Sequence, residues 1–459
     1  MTIQLDVSGM LARAVPHGAS PDRLASLAPR LAAAHAGLMA DVAKGILGFR
    51  EFEAQAAERA RMQAWAAAHR DGLEDVVVLG IGGSALGAVA LRTALLPRDW
   101  NARSKAQRGG RPRLHVLDNV DPRSVRGLLE LVDLPRTRFL VISKSGSTAE
   151  TMSQYVLIRE RLAAAGIAAK DALAFVTDPA KGVLRPIATA EGIPAFEIPP
   201  NVGGRFSVLT PVGTLPAALL GLDVDALIAG ATAMRDRCAN DRFRDNPALA
   251  FAALQWRAHL EAGQGMHVLM PYSDAFRDLA PWFVQLWAES LGKRTGDGRH
   301  VGPTPIVAVG ATDQHAQVQR FMEGPADKTV TFLDVEEPEG GELLIPRDGP
   351  AELAYLGGHG FAELLRAECR ATAGALATMG RPTMTLKVTR ADAWHLGGLF
   401  MLFELATIYA GQLYEVDPLD QPGVELGKQL TYYQFGHPAW QKMKATWDAL
   451  PPADPDWVL

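Results

Sequence analysis

Val76-Val77-Val78-Leu79-Gly80-Ile81-Gly82-Gly83-Ser84-Ala85 runs from four aliphatic residues straight into a glycine turn. The first four show no polar alternation, so the strand they form is buried on both faces. An Ala- and Leu-rich helical stretch follows to about Leu96. Strand, tight turn and helix make the opening half of a βαβ unit. The same rhythm repeats outward, with strands expected at Leu114–Leu117, Phe139–Ile142, Leu173–Val176 and Phe196–Ile198. A polar stretch near Asp236–Asn246 precedes a second cycle. Its strands are expected at His267–Met270, Ile306–Val309, Val330–Leu333 and Met384–Val388, with helices over about 277–292, 313–323, 359–379 and 392–411. Apolar strands alternating with helices predict an α/β fold, two doubly wound parallel sheets each covered on both faces. Residues 1–70 read as helices, since Pro21–Arg70 is Ala-rich with Leu24, Leu27, Leu31 and Leu38 near helical spacing. The expected division is a helical segment over 1–70, α/β units over 71–240 and 241–435, and a tail over 436–459.

Composition narrows the classes. The 459 residues suffice for a large core without a disulfide or metal staple. Lys and Arg total 46 against 51 Asp and Glu, a formal charge of -5, which gives no global case for nucleic acid or an anionic membrane as partner. Two cysteines, Cys238 and Cys369, exclude a disulfide scaffold and a Cys-based zinc site and suggest a reducing compartment. The apolar run Gly397–Gly411 is interrupted by Glu404, and the N-terminus lacks the pattern of a secretory signal, so the cytoplasm is the expected location.

Six segments carry candidate chemistry. The loop Gly80–Ala85 lies between strand and helix, where free N–H groups attract anions. It also fits a G-x-G-x-x-A dinucleotide fingerprint, although Asp118 lies nearly twice the expected distance beyond it. Ser143-Lys144-Ser145-Gly146-Ser147-Thr148 offers four hydroxyls, an ammonium and a helix start, which suits a phosphate monoester better than a plain helix cap. Val202-Gly203-Gly204-Arg205-Phe206-Ser207 can bring a guanidinium close to an oxyanion, or form a glycine turn with a surface arginine. Gln285 and Glu289 share a helix face beside Trp282, Phe283 and Trp287. Desolvation there suits a general base, and the plainer reading is an ion pair from Glu289 to Lys293. Asp313-Gln314-His315 starts a helix with a lone histidine, and Asp420–Lys428 reads as a turn into a helix.

Taken together and in this order, these segments resemble the glucose-6-phosphate isomerase family in its compact bacterial form. The phrases LGIGGSALG, VGGRFS, QHA and DQPGVELGK carry the resemblance, which runs from about residue 70 to 430. It implies two sugar-isomerase (SIS) domains. It implies Glu289 as the base moving a proton between C2 and C1, Arg205 as the cation on the cis-enediolate, and His315 with Lys428 as the ring-opening pair. Ser143, Ser145 and Thr148 resemble the phosphate loop, with Lys144 beside it. Gly83, Ser84, Gln285 and Gln421 resemble substrate contacts. It further implies a glycolytic and gluconeogenic enzyme with no cofactor and no metal, acting as a homodimer with His315 donated by the partner. Pro200 and Leu419 depart from the family pattern without removing a catalytic group. Two other readings stand beside it: a nicotinamide-dependent oxidoreductase resting on the Gly80 loop and Asp118, and a catalytically silent sugar-phosphate sensor.

Overall fold

The computed structural model describes residues 2–459. The first sheet holds β2 (Asp75–Leu79), β3 (Arg113–Leu117), β4 (Thr137–Ile142), β5 (Leu173–Thr177) and β6 (Ala195–Glu197). They are all parallel, in the order β3-β2-β4-β5-β6. The chain moves from β2 to one side and from β4 to the other. The switch point therefore lies at the carboxyl ends of β2 and β4, where open α/β sheets bind ligands. The Gly80 and Ser143 loops leave those two strands.

The second sheet holds β1 (Ile3–Asp6), β7 (Met266–Pro271), β10 (Thr304–Val307), β11 (Lys328–Val335) and β12 (Thr383–Val388), in the order β1-β12-β11-β7-β10. Four of its strands are parallel, and β1 runs antiparallel to β12 with Ile3 opposite Val388. The expectation that residues 1–70 are helical is corrected here: Ile3–Asp6 completes a sheet whose other strands begin more than 250 residues later. A two-stranded hairpin, β8 (Lys293–Arg294) and β9 (His300–Val301), was not foreseen either.

Side-chain alternation separates the layers. Val77, Leu79, Phe139, Val141 and Phe175 face the helices Pro122–Leu131, Ala149–Ala164 and Leu184–Glu191. Val76, Val78, Leu140 and Ile142 face the opposite way, into a core shared with Leu269, Leu333 and Leu386 of the second sheet. The far face of the second sheet packs Val268, Met270 and Phe332 against Phe321, Cys369 and Leu376. Each sheet is thus covered on both sides, as the apolar strands require.

The middle of the shared core is the helix Ala393–Tyr414, started by an Asp392 carboxylate that accepts from the His395 N–H. It is long and apolar enough to cross a membrane, but 94% of its most apolar window is buried inside the protein. Glu404 at its centre is fully buried with no partner for either carboxyl oxygen among the described residues, and burial pushes its pKa well above the usual range.

Candidate active site

Two glycine loops meet at the switch point. Gly82 adopts φ +56°, and a side chain on Gly83 would sit 2.2 Å from the Gly204 carbonyl oxygen. Only glycine permits that approach. The close packing of the loop after β2 on the backbone that carries Arg205 thus accounts for its glycines without a ligand. The fingerprint reading of this loop loses its support.

Arg205 is 4% exposed, and four of its five N–H groups are committed. Nε donates to Ser290 Oγ at 2.6 Å, Nη1 to Gln421 Oε1 at 2.9 Å, and Nη2 to the carbonyls of Pro418 and Asp420, the latter at 2.8 Å. The remaining N–H is on Nη1, the atom 3.5 Å from Glu289 Oε1. Burial lowers the arginine's pKa, opposed by Glu289, Asp420 and Asp417. An arginine stays protonated regardless.

Glu289 belongs to the helix Leu279–Leu291, whose other face buries Trp282, Phe283 and Trp287. Its carboxylate is half-buried beside Arg205 and accepts from Gln285 Nε2 at 3.1 Å. Gln285 Oε1 is buried without a partner among the described residues, an acceptor available to a hydroxyl. The plainer reading of Glu289 is corrected: Lys293 pairs with Asp420 instead. These groups border a cleft of ≈850 Å³, walled by Gln285, Glu289, Lys293, His300, Gln421 and Val424. That volume falls in the range of small-molecule sites, roughly 300–1,000 Å³.

The second loop prepares an anion site. Ser143 Oγ is buried, accepts from the Gly146 N–H at 3.1 Å and lies 3.3 Å from Thr148 Oγ1. Ser145 Oγ accepts from the N–H and hydroxyl of Ser147. Thr148 caps the helix Ala149–Ala164 without a side-chain bond to it, so the first-turn N–H groups stay open. Lys144 donates to the carbonyls of Pro200 at 2.7 Å and Val202 at 2.8 Å, which ties this loop to the arginine loop. Burial lowers its pKa, while Asp178 opposes the shift.

Two predicted residues stand apart from this cluster. His315 is exposed and has no hydrogen-bond partner among the described residues. Its turn is nonetheless fixed: Asp313 accepts from the Val309 N–H at 2.6 Å, and Gln314 donates to Tyr272 at 2.8 Å and Thr372 at 2.6 Å. Lys428 pairs with Glu425 at 2.9 Å on the exposed helix Glu425–Gln434. One turn later Tyr432 donates to the Ser147 carbonyl at 3.2 Å, which brings that helix face to the serine loop. Ser84 lies in the glycine turn beside Gly83. Among the described residues no three His, Cys, Asp or Glu side chains gather to hold a metal ion. Sequence reasoning gave Ser290 no role and read Lys293 only as a partner of Glu289; both close the arginine's surroundings from the helix end.

The family model described as phosphoglucose isomerase matches residues 12–332 and 366–450. The chain belongs to the phosphoglucose isomerase family. It is 43% identical over 408 residues to a glucose-6-phosphate isomerase of Carboxydothermus hydrogenoformans, covering 87% of each chain. It is 45% identical over 379 residues to one of Rubrobacter xylanophilus, covering 81% of this chain and 84% of that one. A crystal structure of a hypothetical Thermus thermophilus protein, TT0462, superposes with TM-score 0.85 at 36% identity, over 95% of this chain and all of that one. The family match thus spans the first sheet, the second sheet apart from β1 and the end of β11, and the helix that carries Lys428.

Proposed function

We propose that this protein interconverts glucose 6-phosphate and fructose 6-phosphate by ring opening and a cis-enediolate. The observation that carries the reading is the pairing of Arg205 and Glu289: a carboxylate beside a buried guanidinium that keeps one N–H uncommitted. Aldose–ketose isomerisation needs those two groups. The carboxylate takes the proton from one carbon and returns it to its neighbour, and the cation stabilises charge on the enediolate oxygens. The Nη1 donor lies in a desolvated site where such an interaction is strong.

The same proposal assigns the other roles. The Ser143, Ser145 and Thr148 hydroxyls with the open helix N-terminus hold the phosphate, and this remote binding positions the reacting carbons. Lys144 braces that loop. Gln285, Gln421 and the Gly83–Ser84 backbone contact sugar oxygens. Lys428 enters from the helix that Tyr432 docks on the serine loop. His315 comes from the second subunit of a homodimer, since its own chain leaves it exposed and separate from Glu289. Lys428 and His315 then exchange a proton with the ring oxygen. The same reading places the enzyme in glycolysis and gluconeogenesis.

The test is a coupled assay on purified, EDTA-treated protein. Turnover of fructose 6-phosphate is expected, and its absence in a folded sample removes the reading. Glu289→Gln should lower kcat by about 10²–10⁴-fold, the loss typical of a general base. Near-parental kcat in that variant would remove Glu289 from its role.

A further inference from the structure

Between the end of the Glu289 helix and the helix that carries Lys428 lies a short strap, Asp417–Gln421. Its backbone oxygens point at two cations. Arg205 Nη2 donates to the Pro418 and Asp420 carbonyls. Lys293 Nζ donates to the Asp417 carbonyl at 3.1 Å, to the same Asp420 carbonyl at 2.5 Å, and to the Asp420 carboxylate. An ammonium has three N–H groups, so the donor capacity of Lys293 is full and none remains for a ligand. Its side chain is only 7% exposed although it borders the cleft.

We propose that Lys293 is a positioning residue for the isomerisation: it pins the Asp417–Gln421 strap against the Arg205 guanidinium, leaving that guanidinium a single free donor beside Glu289. This rests on the functional reading above. The geometry supports a role through Arg205 rather than through substrate. Three of the four committed Arg205 donors end on this strap, counting Gln421 Oε1. Only the Nε bond to Ser290 is independent of it. Without the ammonium, the Asp417 and Asp420 carbonyls lose a donor, and the Asp420 carboxylate becomes free to compete with Glu289 for the arginine. Electrostatic stabilisation depends on donors held in place before charge develops, so a strap that moves weakens the transition state more than substrate binding.

The experiment compares Lys293→Met with the parent. A displacement of about 1 Å in such a site costs up to roughly 10²-fold, so kcat should fall by about 10–10²-fold while KM for fructose 6-phosphate changes by less than about 3-fold. Affinity for a hydroxamate analogue of the enediolate carrying the same phosphate should fall in parallel with kcat. Affinity for glucitol 6-phosphate, which binds without an enediolate, should hold. Asp420→Asn, which removes only an exposed charge and keeps the carbonyl, should show a smaller loss of the same kind and covers the case of a poorly folding Lys293→Met. The Arg205 Nη2–H resonance, whose acceptors are the Pro418 and Asp420 carbonyls, is assigned by its loss in Arg205→Lys and should lose its protection from exchange in Lys293→Met. Parental kcat and hydroxamate affinity in both variants, or an equal loss of affinity for both analogues, overturns the proposal. If the parent itself does not isomerise sugar phosphates, the functional reading fails separately, and the Arg205 resonance still decides whether Lys293 holds the guanidinium.

Discussion

His267 lies beneath the helix that carries Glu289, fully buried, and its Nδ1 accepts from Trp287 Nε1 at 3.0 Å. Burial, with His259 adding to it, holds its pKa down to about 3. The unfolded chain takes a proton near the ordinary histidine value of about 6.5, so between those limits the unfolded state binds more protons than the folded one. Stability from this group is therefore complete above about pH 6.5 and declines as pH falls towards 3, by about 1.4 kcal/mol per unit. Urea unfolding near pH 7 and near pH 5 should show His267→Gln losing about 2 kcal/mol less than the parent over that interval, because glutamine keeps an acceptor for Trp287 and does not titrate. Equal losses would assign the acid sensitivity elsewhere. Residues of this kind escape a reading of sequence, since burial is a property of the folded core. Arg205 was legible because it sits in VGGRFS, a phrase that carries the family resemblance, and Glu289 because it shares a helix face with Gln285 beside Trp282, Phe283 and Trp287. Lys293 was legible only as a helical i,i+4 partner of Glu289, and the structure gives it to Asp420, 127 residues away. Local spacing rules rank neighbours on one helix and have no access to a strap folded back from elsewhere.

The helices Val224–Arg237 and Ala393–Tyr414 approach through glycines. A side chain on Gly397 would meet the Leu227 carbonyl at 1.9 Å, and one on Gly230 would meet the Trp394 carbonyl at 1.8 Å. Both obstacles are backbone and cannot rotate away. Gly397→Ala should cost about 1–3 kcal/mol by overpacking, read as a lower urea midpoint at unchanged slope. Gly374→Ala, in a helix with open space around it, should instead stabilise by about 0.5–1 kcal/mol. Matching effects at the two positions would deny that close packing sets the difference. At this scale most of the fold was readable: apolar runs such as Phe139–Ile142 and Val330–Leu333 became buried parallel strands. The failures are short and at edges. Ile3–Asp6 has four residues, and its pairing partner lies at Thr385–Val388, so no local signal distinguishes it from the helical residues that follow. The strands of the Lys293–Val301 hairpin have two residues each, below the length at which alternation can be seen.

Across the whole molecule, the groups proposed for one reaction do not all gather in one chain. Gln285, Glu289 and Gln421 line one cleft, with Arg205 bonded to Gln421 and paired with Glu289 beside it, whereas His315 is held on an exposed turn leading out of the second sheet by Asp313 and Gln314. Three bonds that hold the turn around an unpaired, solvent-facing histidine make sense if the histidine serves a site outside its own chain. In the proposed symmetric dimer every such contact would occur twice, so each site would draw Glu289 from one subunit and His315 from the other. On that proposal the variants Glu289→Gln and His315→Ala have a distinctive behaviour when unfolded together and refolded as a mixture. Random pairing puts half of the chains in heterodimers, where one site receives both lesions and the other neither. Activity should recover to roughly one quarter of the parental value per chain if both variants pair freely. If His315 instead acts within its own chain, every site in the mixture carries a lesion and the activity stays at the level of the separate variants. The number of subunits seen by sedimentation distinguishes a failure to pair from a failure to share: a mixture that is dimeric and inactive removes His315 from the neighbour's site.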